Sequence, residues 1–258
     1  MGYRAKIALA YSLGPLASAF KWLWTSRETT NFTYDLEEKN KRYLASLLAE
    51  LLDVDYSEAL GYIRELEDDA FLTRHLRSAT AASDFAFMAD DQVHYGRRLG
   101  WYVITRVIKP RTIVETGVDK GLGACVLAAA LMKNREEGHE GRYYGTDINP
   151  KAGYLLSGRY AEYGEVLYGD SIQSLTAFDK KIDLFINDSD HSADYEAREY
   201  QIIAGKLSEQ AIVLGDNSHL TDKLLEFSLQ SNRRFVYFQE QPENHWYRGA
   251  GIGISFKA

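Results

Sequence analysis

The sequence is poor in cysteine and in clustered positive charge, and both shortages narrow what the protein can be. Cys125 is the only cysteine among 258 residues, so an internal disulfide and a metal site built from several cysteines are excluded. The formal net charge is -7 at pH 7, and no run of lysine and arginine occurs. Nucleic acid is therefore not expected as a partner, because binding to its backbone needs clustered positive charge. Cys125 lies in an apolar stretch, which favours a small core residue over a nucleophile.

No hydrophobic run is long enough to predict a membrane span, although the N-terminus comes near one. "MGYRAKIALAYSLGPLASAFKWLW" has basic and apolar residues arranged as in a secretory signal, but Lys21 interrupts the run. We predict a helix with Pro15 in its first turn. A stripe at helical spacing comprises Leu13, Leu16, Phe20 and Trp24. This stripe is expected to pack on its own domain or on a second subunit; the alternative is a helix on a membrane surface. We expect a cytoplasmic protein.

The first third of the chain is predicted to be a helical extension, spanning residues 1–82. In "YDLEEKNKRYLASLLAELLD", Asp35 and Glu38 resemble a capping box, and leucines follow at helical spacing. The segment carries no obvious chemistry of its own. We therefore expect it to cover a substrate site as a lid or to mediate dimerisation, so that a homo-oligomer is possible.

From residue 83 onward, apolar strands alternate with helices. A helix in "DQVHYGRRLGWYVITRVI" should end at Pro110, and the strands are "TIVETG", "RYYGTDI", "EVLYGD", "IDLFIND", "AIVLGDN", "RFVYFQEQ" and "GIGISFKA". Such alternation predicts an α/β fold with a doubly wound, seven-stranded, mostly parallel sheet. Residues 241–249 leave no room for a helix, so the last strand should be antiparallel. Residues 83–258 thus form the second predicted domain.

Acidic residues follow the strands of this predicted sheet with unusual regularity. Asp147 ends the second strand, Asp170 the third, Asp188 the fourth and Asp216 the fifth. Helix capping can account for Asp170, which precedes "SIQSL", but it explains poorly why each strand ends in this way. Because ligands of open α/β sheets bind at the carboxyl ends of the strands, we predict a ligand site at this edge.

The turn after the first strand indicates which ligand binds there. Its glycines follow the spacing Glu115-x-Gly117-x3-Gly121-x-Gly123, which differs from the G-x-G-x-x-G of dinucleotide folds. An acid before the first glycine would repel a pyrophosphate but suits a ligand with an ammonium and a sulfonium. The turn resembles the first motif of class I S-adenosylmethionine-dependent methyltransferases, and the resemblance extends over about residues 91–258.

This resemblance implies roles for individual residues in binding S-adenosylmethionine. The three glycines would let the backbone approach the methionine part, and Glu115 would orient the site. Asp147 would accept hydrogen bonds from both ribose hydroxyls, for which a carboxylate has the paired oxygens. Asp170 and Ser171 would lie at the adenine.

A finer resemblance implies the chemistry on the acceptor side. "DLFINDSDH" and "VLGDN" are similar to motifs of the metal-dependent O-methyltransferases of the catechol and caffeoyl-CoA type, and of macrolide-sugar and antibiotic O-methyltransferases. Carried over, Asp188, Asp216 and Asn217 would bind a divalent cation such as Mg²⁺ or Ca²⁺. The cation would lower the pKa of a substrate hydroxyl. His191 stands where the catechol type has a lysine base, and histidine can serve; Asp188 then shares the catalytic site. Asp190 would orient His191 or join the metal.

The expected function is O-methylation of a hydroxyl on a small natural product, sugar or phenol. One alternative is a metal-independent N- or C-methyltransferase with His191 as base, because many methyltransferases need no metal. A second is a non-catalytic protein that binds S-adenosylmethionine. The polar residues at the fourth and fifth strand ends argue against it. The aromatic loop "ENHWYRG" could wall the acceptor pocket or simply pack. The remaining histidines are interpreted as surface or packing residues.

Overall fold

One seven-stranded sheet organises the protein in the computed structural model, which describes residues 2–29 and 33–257. Its strands are β1 (Thr112–Thr116), β2 (Arg142–Asp147), β3 (Gly164–Tyr168), β4 (Ile182–Asn187), β5 (Leu207–Gly215), β6 (Arg234–Gln239) and β7 (Gly251–Phe256). They lie in the order β3-β2-β1-β4-β5-β7-β6. Pairing is parallel from β3 to β5, and β7 runs antiparallel to both β5 and β6. The predicted fold class and the reversed last strand are confirmed.

Helices cover both faces of this sheet. Within the described residues they are α1 (Gly2–Thr25), α2 (Glu38–Leu52), α3 (Tyr56–Glu67), α4 (Ala70–Ala82), α5 (Arg98–Ile108), α6 (Leu122–Glu136), α7 (Ser171–Ala177), α8 (Ala193–Ile203) and α9 (Lys223–Gln230). The larger core joins α2, α3 and α4 to α5, α6 and one face of the sheet, and Cys125 is buried within it. The smaller core lies under α8 and α9 on the other face.

The segment from residue 151 to residue 163 differs from the helix that the sequence suggests. It forms successive turns and then a short 3₁₀ helix, Gly158–Tyr163. The reason is that two of its backbone N–H groups donate to the glycine turn. Gly153 N–H donates to the Asp119 carbonyl at 2.7 Å, and Leu155 N–H donates to the Lys120 carbonyl at 3.1 Å.

The start of α2 also differs from the predicted capping box. The helix begins at Glu38 without a side-chain cap, while the Asp35 carboxylate pairs with the His94 ring at 2.8 Å. Leu36 forms an isolated β-bridge with Pro242. The residues before α2 therefore run along the loop between β6 and β7, and the Asp35 carboxylate is not available to cap the helix.

Helix α1 is longer than predicted, and its apolar stripe is exposed. Pro15 lies inside the helix rather than in its first turn. The stripe does not pack on its own domain, since Leu13, Leu16, Phe20 and Trp24 are each more than half exposed. Contact comes instead from Trp22, whose ring meets the aromatic loop between β6 and β7. No helix in the described part of the chain is long and apolar enough to cross a membrane.

Candidate active site

A cleft of about 680 Å³ opens at the carboxyl edge of the parallel strands. The predicted residues that line it are Gly117, Asp147, Asp170, Ser171 and Asp188. Backbone hydrogen bonds continue the sheet one residue past the strands: Gly117 N–H donates to Thr146, and Asp188 N–H donates to Thr116. The parallel register thus brings residues from four strands to one cleft, as expected for this class of sheet.

Packing within the protein explains why the turn after β1 is rich in glycine. Gly117 has a φ of 84°, and a Cβ there would overlap the Asp188 carbonyl. Gly121, with a φ of 94°, lies against the backbone of Gly153. A Cβ on Gly123 would come within 2.7 Å of a Glu115 carboxylate oxygen. These close approaches require glycine, and contact with the methionine part of the donor stays a prediction.

Glu115 lies beneath the cleft rather than on its wall. Its side chain is buried and accepts a hydrogen bond from the Tyr143 hydroxyl. Burial raises the pKa of this carboxyl to about 7, against the opposing effects of the Tyr143 hydrogen bond and the nearby Arg98 charge. Glu115 therefore acts on the glycine turn from below.

Asp147 holds the glycine turn in place through its carboxylate. One oxygen accepts the backbone N–H groups of Val118 and Asp119, at 3.0 and 2.9 Å. The other accepts the Asn149 N–H at 2.8 Å. A carboxylate has about four acceptor positions, so capacity remains for a hydroxyl entering the cleft. The Asp147 carboxylate can therefore still accept the predicted bond from the ribose, and this contact stays a prediction.

Asp170 and Ser171 form a hydrogen-bonded group with a residue that the sequence did not single out. Asp170 caps α7 by accepting the Ile172 N–H at 2.8 Å, and it also accepts the Tyr195 hydroxyl at 3.0 Å. Ser171 lies 2.8 Å from the same hydroxyl. Tyr195 reaches the cleft from α8, and its place in an ordinary amphipathic helix gave no signal of this.

The ends of β4 and β5 bring Asp188, His191 and Asp216 together, with their possible ligand atoms all within 4.8 Å of one another. The His191 ring is 3.7 Å from the Asp188 carboxylate through Nε2. Its Nδ1 lies 3.3 Å from the buried carboxylate of Glu196. This partner favours the tautomer with the proton on Nδ1, leaving Nε2 as the basic nitrogen. Glu196 was not identified from the sequence.

Asn217 approaches the same group with its amide nitrogen. That nitrogen is 3.1 Å from His191 Nε2 and 3.1 Å from an Asp216 oxygen. As a metal ligand Asn217 would have to present its oxygen, which requires rotation of the amide. Asp190 turns away from His191, accepting the Ser192 N–H at 2.8 Å.

Arg97, just before α5, supplies a buried positive charge that sequence reasoning missed. Its guanidinium forms an ion pair with Asp216, and both side chains are almost fully buried. Asp188 and Glu240 also lie within its electrostatic influence. The pKa of Asp188 is raised well above its usual range, first by burial and then by the neighbouring Asp216 charge. The sequence did carry one signal, which is a pair of arginines at the start of an apolar helix. Arginine is rarely buried unless it is paired, so this position indicates an ion pair.

The cluster of Asp188, His191 and Asp216 fits a divalent cation in part. Asp188 and the Asp216 oxygen that faces away from Arg97 offer hard donors, and His191 Nε2 adds an imidazole. Arg97 has already taken the other Asp216 oxygen. The donor set therefore matches a cation held by Asp188, Asp216 and His191 more readily than the predicted set with Asn217.

The aromatic loop between β6 and β7 packs against the N-terminal segment. His245 and Trp246 contact the Trp22 ring, with centroids at 6.2 and 5.5 Å. His245 and Tyr247 contact Tyr34. This region borders a polar cavity of about 580 Å³. A role of the loop as an acceptor wall stays a prediction.

Comparison with known proteins agrees with this geometry. Residues 114–218, which run from β1 past the end of β5, match a family model described as a methyltransferase domain. No curated protein matches the chain.

Similar solved structures include cofactor-bound Rv0187 from MTB, 18% identical with a TM-score of 0.55, covering 85% of this chain and 98% of that one. The O-methyltransferase TomG from Streptomyces achromogenes, in complex with SAM, is 15% identical with a TM-score of 0.54, covering 86% and 99%. The SAH-bound methyltransferase PaMTH1 from Podospora anserina is 15% identical with a TM-score of 0.51, covering 73% and 88%. At these identities the likeness is one of fold. Together with the matched domain and the cleft at its strand ends, this fold agrees with the resemblance to class I S-adenosylmethionine-dependent methyltransferases.

Proposed function

We propose that the protein is an O-methyltransferase that acts on a hydroxyl group of a small molecule, with His191 as the base. The observation that carries this proposal is the position of His191. It stands beside Asp188, which lines the donor cleft, and it is oriented from behind by Glu196. A base needs one nitrogen near the reacting proton and its other nitrogen held. Glu196 holds Nδ1, and Nε2 would accept the proton in place of its contact with the Asn217 amide.

The reaction is a direct displacement at the methyl carbon. The acceptor oxygen forms a bond to the methyl group while the bond from that methyl group to sulfur breaks. The hydroxyl proton passes to His191 Nε2, and Glu196 stabilises the resulting imidazolium through Nδ1. The neutral thioether leaves. The protein's main contribution is to align the two reactants and remove one proton.

A divalent cation in the same site is the alternative to His191 as the base. Asp188, Asp216 and His191 would hold it, as their close spacing supports. When bound, it would lower the pKa of the acceptor hydroxyl. If His191 serves as a ligand, its nitrogen is no longer free to act as base, so the two roles are exclusive.

A metal-independent methyltransferase that acts on nitrogen or carbon is the second candidate. The specific observation in its favour is Arg97, which already neutralises part of the charge of Asp188 and Asp216. An acid pair balanced by a resident guanidinium has less need of a metal ion.

We further propose that the N-terminal segment before residue 83 closes over the acceptor site or pairs subunits. Tyr34 supports closure, since its hydroxyl donates to Glu240 and accepts the Ala250 N–H at 3.2 Å, next to β7. The exposed stripe on α1 supports pairing of subunits, because large exposed apolar patches mark interaction sites. Deletion of residues 1–29 should lower turnover or halve the sedimentation mass. A truncated protein with full activity and unchanged mass would contradict both roles.

The test of function is a screen of hydroxylated metabolites with labelled methyl donor, with and without EDTA. His191→Ala should lose roughly 10²–10⁴-fold in rate, while His219→Ala, an exposed histidine near the same strand end, should retain activity. EDTA sensitivity reversed by Mg²⁺ or Mn²⁺ would support the cation. Full activity on a hydroxyl acceptor in EDTA, with an inactive His191→Ala, would reject the cation and leave His191 as the base. Transfer to no hydroxyl acceptor, but to amines or carbon acids, would contradict O-methylation.

A further inference from the structure

Arg98, the first residue of α5, is a buried cation with an unsatisfied Nε. Its side chain is 6% exposed, and its Nε makes no hydrogen bond. Its guanidinium lies over the Trp101 ring, with the centroid 5.5 Å away, and its charge acts on the carboxyls of Glu115, Asp188 and Glu240. Buried polar groups are nearly always hydrogen-bonded. A buried charge whose N–H donors have no acceptor costs free energy. The arginine next to it, Arg97, forms a buried ion pair with Asp216, although its Nε likewise makes no hydrogen bond.

The guanidinium borders a narrow cavity of about 60 Å³. That space can hold a small polar group such as a carboxylate. Val118, Lys120 and Leu122 of the glycine turn line the same cavity. Asp119 lines both this cavity and the large donor cleft, so the two adjoin across the turn.

The position along the donor identifies which carboxylate fits. Asp147 and Asp170 lie in the large cleft, where the adenosine is expected, and the small cavity is lined by Val118, Asp119, Lys120 and Leu122 of the turn. The amino-acid end of S-adenosylmethionine is at the opposite end from its adenine. A molecule bound along the turn therefore places that end at the small cavity.

The local charge makes a dedicated cation necessary. Glu28 lines the cavity, and Glu115, Asp188 and Glu240 are all close enough to feel the Arg98 charge. A carboxylate would be repelled from such surroundings unless a cation received it. Lys120 is less suited, because its ammonium already donates to the Met88 carbonyl at 3.3 Å.

We propose that Arg98 binds the α-carboxylate of S-adenosylmethionine through charge-assisted hydrogen bonds, with Glu28 on the ammonium side of the same cavity. The inference rests on the donor assignment and is independent of the acceptor and of any metal. It makes Arg98 the residue by which the enzyme distinguishes the complete donor from nucleosides that lack the amino-acid end.

The test compares two ligands by isothermal titration calorimetry. S-adenosylhomocysteine carries the carboxylate, and 5′-methylthioadenosine has the same adenosine without the amino-acid end. In Arg98→Met the affinity for S-adenosylhomocysteine should fall roughly 10-fold to 100-fold, as for loss of a hydrogen bond between charged groups. The affinity for 5′-methylthioadenosine should stay within about twofold, since its contacts are unchanged. Arg77→Met is the matched control, because Arg77 lines the same cavity but is exposed; both affinities should be retained.

A second measurement uses the unaltered protein, so that it does not depend on folding of the variant. Decarboxylated S-adenosylhomocysteine, which keeps the amine, should bind roughly 10-fold to 100-fold more weakly than the parent compound. Equal affinity would overturn the proposal, as would equal losses for both ligands in a folded Arg98→Met. If the unaltered protein bound neither nucleoside, the donor assignment itself would fail, which is a distinguishable result.

Discussion

The buried ion pair of Arg97 and Asp216 offers a quantitative test of how the candidate site is held together. Arg97→Met removes the cation and keeps most of the apolar volume. Asp216 is 1% exposed and would keep a buried charge without its partner. Breaking a buried pair from one side costs about 3–5 kcal/mol in unfolding free energy. The surface pair Arg142–Glu165, with side chains about half exposed at 45% and 48%, should contribute at most about 1 kcal/mol.

The assay is urea unfolding followed by tryptophan fluorescence. Arg97→Met should lose about 3–5 kcal/mol, and Arg142→Met should lose at most about 1 kcal/mol. The double variant Arg97→Met/Asp216→Asn should lose less than the sum of the two single losses by about 1 kcal/mol or more, because coupled partners are not additive. The reasoning would be refuted if the losses of unfolding free energy were strictly additive. It would also be refuted if the Arg97→Met variant were as stable as the Arg142→Met variant. Lower methyl transfer in Arg97→Met at full folding would link the pair to the site.

Three further predictions address the donor and the base. Asp147→Ala should weaken S-adenosylmethionine binding by about 1.5–3 kcal/mol; unchanged affinity by calorimetry would remove the ribose assignment. Glu115 has a pKa raised to about 7 in the folded protein against an ordinary value near 4.3. The folded state therefore binds more protons between these values, and its stability should fall by about 3 kcal/mol as pH rises through that window. Glu115→Gln should flatten this dependence in urea unfolding at several pH values, and an unchanged slope would contradict it. Glu196→Gln should reduce turnover less than His191→Ala does and leave donor affinity unchanged; a rate equal to that of the unaltered enzyme would show that Glu196 does not orient His191.

Several differences between expectation and structure have one cause, which is competition between local signals and distant partners. Asp35 has the spacing of a capping residue, but His94 takes its carboxylate. The residues after Lys151 suit a helix, but their N–H groups donate to the glycine turn. Neither partner is near in sequence, so local spacing could not reveal the outcome.

The sequence by itself determined the sheet, its reversed last strand and the edge where the acids gather. Periodicity and turn residues act over a few positions, and the parallel arrangement then brings Asp147, Asp188 and Asp216 to one side. Only the tertiary structure decided which groups are paired. Arg97 and Arg98 are neighbours in sequence and equally buried, yet one meets Asp216 and the other faces an open cavity. That difference depends on the direction in which each side chain leaves the start of α5, and on chain segments far along the sequence. A buried charge needs a partner, and the fold alone determines whether a partner is present.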